Sequence, residues 1–322
     1  MSRAELHFRA MGTDCQAMVI APGGAATTLV ELARDRVELL EQCWSRFRPD
    51  SELNRLNDRA GQGPVRVSED LMRLVQQMHQ AWELTDGLFD PTVLAAMKAH
   101  GYDADFATVS ARPADALASV IASSTPGMSA VAIDVDHATV TLPQGIGLDP
   151  GAIGKGLAAD LIIDEIIDAG ATGALVNLGG DVAIGGHDVS TWAIAVQDER
   201  KSPTDEDRVL TVLHFDADAT RLGTATSTTL KRRWAQGRRH HVIDPRTGTM
   251  STSPLVQVTV VGSAAWQAEV LATAALLLDP HSASALLRSH GLTSVLMTAD
   301  AISTVPDDLL DLTSREREHA HG

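Results

Sequence analysis

Apolar positions along the chain recur with two periods. From Thr27 to Trp44, Leu29, Leu32, Val37, Leu39 and Leu40 fall at helical spacing and predict one apolar face. Ser68 is a good N-cap, and Leu71, Leu74, Val75 and Met78 after it predict a second helix, which runs to Leu84 and stops before Gly87. Leu157, Leu161, Ile162, Ile166 and Ile167 predict a third over 155–168, and Ala264–Leu278 and His281–His290 are helical in pattern. The strand period is shorter and patchier. Leu6 to Ile20 reads as a strand, or a strand pair broken near Met11-Gly12-Thr13. Val131–Val135 and Thr139–Leu142 read as strands joined by a tight turn at Asp136-His137. Further strands are predicted at Ala174–Leu178, Trp192–Val196, Val209–Phe215, Ala219–Thr224, Leu255–Gly262 and Val295–Met297.

Between these elements, Arg48–Leu56 reads as a polar connection and Gln197–Arg208 as a solvated charged loop. Residues 100–130 are weakly patterned, with a short helix at Ala114–Ala122 and a turn at Pro126-Gly127, and read as an excursion. Strands and helices do not alternate as in a doubly wound sheet, so the expected class is α+β, a mixed fold with sheets flanked by helices. One domain is expected over residues 1–310, with a frayed tail at 311–322.

Composition changes this picture in three places. Aromatic residues make up 3% of the 322 residues, so the core must be built from Leu, Val, Ile, Ala and Met. A net charge of −16 argues against a nucleic-acid binder, while leaving room for a phosphorylated small molecule held by a local cation or a metal ion. Cys15 and Cys43 form no Cys-x-x-Cys pair and read as buried thiols. No signal peptide or membrane anchor is read, and a cytoplasmic protein is expected.

Four stretches carry candidate chemistry. Asp149-Pro-Gly-Ala-Ile-Gly154-Lys155-Gly156 precedes a helix and looks like a phosphate-binding turn. It lacks the P-loop spacing, because Asp149 stands where the first glycine belongs and Gly156 where Ser or Thr belongs. Loop structure and anion binding both remain open for it. Asn177-Leu178-Gly179-Gly180-Asp181 ends a predicted strand, where it can line a ligand or simply turn the chain. His240-His241 with Asp244-Pro245 and Thr247-Gly248 offers an imidazole that can take a proton near neutral pH, or a capped turn, but not the spacing of a zinc site. Glu269 and Thr273 share one face of an apolar helix, where a carboxylate and a hydroxyl suit Mg²⁺; an acid among Ala, Val and Leu needs a partner or water.

Taken in order, these stretches resemble the FAD:protein FMN transferases, in older usage the thiamine-biosynthesis lipoprotein family. The resemblance runs from Met11-Gly12-Thr13 through Ser51-Glu52-Leu53 with Asn57, Asp86-Gly-Leu-Phe-Asp90-Pro91, Asp149–Gly156, Asn177–Asp181 and Ala225-Thr226-Ser227, to His240–Gly248 and Glu269–Thr273. It implies a flavin-transferase-like fold with a cofactor cleft, and transfer of the FMN half of FAD to a threonine hydroxyl of a target protein, with Mg²⁺ and release of AMP. Relatives that release FMN to water imply a pyrophosphatase as the alternative, and a non-catalytic FAD-binding protein is a third reading. Carried over residue by residue, the resemblance implies FAD contacts at Met11, Asp90, Gly154, Lys155, Asn177, Gly179, Gly180, Asp181, Thr226, Ser227, His241 and Asp244. It implies metal contacts at Gly154, Glu269 and Thr273, and proton transfer by His241 with Asp181. Lys155 is expected either to fix the loop or to touch the dinucleotide. Three positions depart from the family pattern: Glu269 replaces the usual Asp, Thr228 replaces a glycine, and Pro150 replaces Leu or Phe.

Overall fold

The computed structural model describes residues 1–113, 123–187, 192–214 and 220–305. Met11 and Gly12 both take positive φ, 50° and 69°, and turn strand β1 (Ser2–Ala10) back antiparallel onto β2 (Thr13–Ala21). The predicted break is thus a two-residue hairpin turn. A small separate sheet joins β3 (Val65–Arg66), β4 (Ala132–Asp134) and β5 (Thr139–Thr141) in the order β3-β5-β4. The turn from β4 to β5 is longer than the expected Asp136-His137 pair: Asp134 pairs with Thr139, and Ala138 takes a positive φ of 51° to close it.

A second hairpin pairs β6 (Gly173–Leu178) with β7 (Asp181–Gly186), and β8 (Ala193–Gln197) with β9 (Val209–His214) forms a ribbon. Strand β10 (Arg221–Thr228) runs four residues past the expected Thr224. Two short ribbons follow, β11 (Arg233–Trp234) with β12 (Arg239–His240) and β13 (Ile243–Asp244) with β14 (Thr249–Met250). Then come β15 (Leu255–Gly262), β16 (Thr293–Thr298) and β17 (Ile302–Val305). The main sheet has eight antiparallel strands in the order β1-β2-β6-β7-β10-β15-β16-β17.

Eight helices are described: α1 (Ala26–Trp44), α2 (Glu52–Asp58), α3 (Glu69–Leu84), α4 (Leu94–Ala99), α5 (Phe106–Ser110), α6 (Gly154–Asp168), α7 (Ala265–Ala275) and α8 (Pro280–Ser289). Helices α1, α6 and α7 lie on one face of the main sheet, against β1–β2, β6–β7 and β10–β15 respectively. The other face of β2, β6 and β7 carries Met18, Ile20, Leu175, Val182, Ile184 and, from β8, Ile194. Two covered faces explain why the alternation along 15–21 looks imperfect: Cys15, Ala17, Val19 and Ala21 face the helices, while Met18 and Ile20 are half-buried opposite.

Several expectations are corrected here. Leu32 and Leu39 are 40% and 55% exposed, because the buried stripe of α1 is Leu29, Val30, Ala33, Val37, Leu40 and Trp44. Segment 48–56 holds α2, whose N-cap Ser51 accepts a hydrogen bond from Asn54 N at 3.0 Å. The expected helix Ser68–Leu84 is present, with Ser68 Oγ accepting from Leu71 N. In the charged loop, Asp198 is buried against Arg200 rather than solvated. His100 and Thr125, at either end of the weakly patterned stretch, pack onto the 244–248 turn, Thr125 N donating to Pro245 O and His100 Nε2 meeting Gly248 O at 2.9 Å. The expected helix at 114–122 and the tail from 311 lie outside the described residues.

Candidate active site

Gly179 and Gly180 reverse the chain between β6 and β7 with φ of 71° and 102°, backbone that a residue with Cβ resists. Asn177 Oδ1 accepts from Gly180 N at 2.8 Å and fixes this turn. Gly179 N donates to Asp14 O, and a Cβ on Gly179 would lie 2.4 Å from Thr13 Oγ1. The Met11-Gly12-Thr13 and Gly179-Gly180 turns are therefore pressed together at one end of the sheet. Met11 is held there by its own N–H, which donates to Glu41 of α1. Asp181 pairs with Leu178 in register, and so points to the helix side of the sheet.

Helix α6 begins at the same place. Asp149 Oδ1 accepts from Gly151 N, its Oδ2 pairs with Arg46 Nε at 3.0 Å, and Ile153 and Gly154 both donate to Pro150 O. Lys155, in the first turn of α6, donates to Asp181 and, at 3.0 Å, to Glu269 Oε1 of α7. The other Glu269 oxygen accepts from Gly156 N at 2.8 Å. The close approach of α6 to α7 makes this possible: a Cβ on Gly156 would lie 2.5 Å from Ala265 O. The acid that looked out of place in an apolar helix thus has its partner. Both carboxylate side chains are 3% exposed and Lys155 is 21% exposed. One turn along α7, Thr273 Oγ1 meets Ser227 Oγ at 2.8 Å.

Thr226 is not in this group. Successive strand residues alternate faces, and Thr226 pairs with Thr259 of β15 at 2.8 Å on the side of the sheet away from α7. Asp90 and Asp244 likewise find their partners outside this group. Asp90 accepts from Thr92 N, Thr92 Oγ1 and Thr125 Oγ1, and Asp244 accepts from Arg246 through backbone and guanidinium. Both carboxylates close turns.

His241 lies among cations. Desolvation first, and then the charges of Arg232, His240, Lys155 and Arg46, push its imidazolium down to about 3, so the ring is neutral. Its Nδ1 is occluded and has no hydrogen-bond partner in the structure. Arg46 also stacks over the Phe47 and Tyr102 rings, at 4.0 and 4.5 Å, and burial raises the Tyr102 hydroxyl against the opposing charges of Arg232 and Arg46. Arg232 belongs to Lys231–Arg239, the one local basic cluster of the sequence, whereas Arg46 carries no such signal. Neither sits in a glycine-rich or strand-end motif, and the one available signal for Arg46 was that Tyr102 is the single tyrosine of the chain.

Cys15 and Cys43 are free thiols, both raised mainly by burial, to about 11 and about 12. Among the described residues, no group of three or more His, Cys, Asp or Glu is arranged to hold a metal ion, and no helix is long and apolar enough to cross a membrane.

A sequence profile described as the ApbE family matches residues 11–304. The FAD:protein FMN transferase of Treponema pallidum is 29% identical over 303 residues, covering 89% of this chain and 81% of that one. One from Klebsiella pneumoniae is 30% identical over 252 residues, covering 76% and 73%. The crystal structure of the ApbE protein of Thermotoga maritima superposes with a TM-score of 0.78 at 24% identity, covering 94% of this chain and 96% of that one, which shows a shared fold.

Proposed function

This chain belongs to the ApbE family, and on that premise we propose that it is a Mg²⁺-dependent FAD:protein FMN transferase, which moves the FMN half of FAD onto a threonine hydroxyl of a target protein and releases AMP. The observation that carries this reading is the cluster of Lys155, Asp181 and Glu269, three charged side chains from separate elements gathered beside the Ser227–Thr273 pair.

The donor set fits a hard cation. Two buried carboxylates share one ammonium, which leaves a surplus negative charge, and Thr273 adds a hydroxyl on the face of α7 that carries Glu269. Glu269 and Thr273 would hold Mg²⁺ through side-chain oxygens, and Gly154 through its carbonyl. Bound there, the ion would offset the negative charge that grows on the pyrophosphate during attack.

The remaining work falls to the chain's own residues. Lys155 and Arg232 supply positive charge to a dianionic pyrophosphate in a protein of net charge −16. Met11, Asn177, Gly179 and Gly180 build the turns that wall the cleft. The threonine oxygen attacks the FMN-side phosphorus, the bond to the AMP oxygen breaks, and the hydroxyl proton leaves to a base. His241 suits that step because its ring is neutral with Nδ1 unengaged. Phosphates bound beside His241 would offset the cationic part of its depression and strengthen it as a base, while burial, the largest cause, stays.

The test is to incubate the protein with FAD and Mg²⁺, with and without a threonine-bearing acceptor domain, and follow AMP, free FMN and flavin that stays on protein after denaturation. AMP with covalent flavin is the expected result. AMP with free FMN alone would identify a pyrophosphatase, and FAD retained without AMP a binding protein.

A further inference from the structure

Lys155 bridges Asp181 and Glu269, the carboxylate that the metal-assisted reading needs. Resting on that reading, we infer that Lys155 is a latch: its ammonium is the resident counter-ion of Asp181 and Glu269, and a divalent cation binds there by displacing it, which frees the ammonium for the phosphate groups of the substrate.

The geometry says which partner moves. Glu269 is fixed at both oxygens, by Lys155 at 3.0 Å and by Gly156 N at 2.8 Å, and the Gly156 bond belongs to the close α6–α7 contact at Gly156 and Ala265. Asp181 is fixed by its place in β7, next to the Gly179-Gly180 turn. Both carboxylate side chains are 3% exposed and have no route outward, while the lysine, at 21% exposure on a flexible four-carbon stem, has one. Two cations cannot share these oxygens without repelling each other at short range, so arrival of one favours departure of the other. The nearby arginine is not a substitute, because Arg46 is already paired with Asp149. The longer reach of Glu269, where the family pattern has Asp, is used in this structure to touch both the lysine and the Gly156 amide.

Two readouts without FAD test the latch. In the first, Mg²⁺ is titrated calorimetrically into the wild-type chain and into Lys155→Met, which keeps side-chain length and removes the charge. Loss of the competing ammonium should tighten Mg²⁺ binding about tenfold. In the second, reductive methylation of Lys155 in the wild-type protein is followed by mass spectrometry with and without saturating Mg²⁺. Displacement should speed methylation about tenfold, a change that a fixed structural lysine would not show. The second readout needs no variant and stands if Lys155→Met fails to fold. Mg²⁺ binding that leaves the methylation rate unchanged overturns the latch while the metal reading stands. Equal Mg²⁺ affinity in a folded Lys155→Met also overturns it. Absence of Mg²⁺ binding in both proteins overturns the latch and the metal reading together.

Discussion

Asp90 and Asp244, on one side, and Asp181 and Glu269, on the other, are acids from motif-like stretches, yet the fold uses them in opposite ways. Among the described residues, the first pair meets no cation from another element: Asp244 is held by Arg246, two residues away, and Asp90 by the neutral groups of Thr92, two residues away, and of Thr125, 35 residues away. The second pair reaches Lys155 across 26 and 114 residues. A carboxylate satisfied by its own turn stabilises that turn whether or not a ligand arrives. A carboxylate held by a lysine from another element can exchange that lysine for another cation. Replacing Glu269 by Ala should therefore give the largest effect. It removes a proposed metal oxygen and leaves Lys155 with one partner, so AMP release from saturating FAD should fall by about 100-fold or more, and its Mg²⁺ response should weaken. Unchanged turnover and metal response would erase the distinction between the two pairs.

The turn acids should fail differently. Asp90→Ala strands Thr92 N and two hydroxyls in a buried place, and should cost about 2 kcal/mol in urea unfolding. Asp244→Ala, with its Arg246 partner half exposed, should cost about 1 kcal/mol. In both variants the Mg²⁺ dependence of the residual activity should match wild type. A shifted Mg²⁺ requirement in either would move that acid into the site.

The same contrast explains what could be read before the structure. Local patterns were legible where one element decided them. Leu255–Gly262 is a strand over the predicted residues, Ser68 caps its helix, and Met11-Gly12 breaks its strand pair. Helix α2 was hidden because its seven residues are too short to show a period, although Ser51 carried its cap signal. Strand β10 was cut short because Thr-Ala-Thr-Ser-Thr is polar, and the covered face behind it could not be foreseen. At the site, Glu269 announced that it needed a partner but not which one. The choice of Lys155 depends on α6 meeting α7 at Gly156, a contact between segments far apart in sequence. That Thr226 and Ser227 face opposite sides of the sheet is likewise a question of register, which the Ala-Thr-Ser motif does not carry.

Across from the acids lies the cationic side of the cleft, and His241 reports on it. Its folded-state value is lowered from 6.5 to about 3, so between those limits the unfolded chain binds the proton and the folded one does not. Stability from this residue is complete above pH 6.5 and is lost as pH falls toward about 3. Urea unfolding of wild type against His241→Asn should show this difference as a slope of at most about 1.4 kcal/mol per pH unit. Parallel curves for the two proteins would mean that the imidazole is not held neutral by burial and by Arg232, Lys155 and Arg46.

The smallest expected effect sets two neighbours against each other. Thr226 and Ser227 are adjacent in β10, both hydroxyls make a 2.8 Å hydrogen bond, and they face opposite sides of the sheet. Thr226→Val keeps the branched shape that a strand favours and loses one cross-strand bond to Thr259, a cost of about 1 kcal/mol or less. Because that bond lies on the face away from α7, AMP release and its Mg²⁺ dependence should stay as in wild type. Ser227→Ala removes an equally small bond, but one that orients the Thr273 hydroxyl one turn from Glu269. Its stability should be as little affected, while the Mg²⁺ concentration needed for half-maximal activity should rise a few-fold, by about threefold to tenfold. Two substitutions of similar size, one residue apart, would then separate in metal response and coincide in stability. If Thr226→Val shifted the metal response as much as Ser227→Ala, the cleft would have to include the opposite face of the sheet, and the placement of the site against α7 would be wrong.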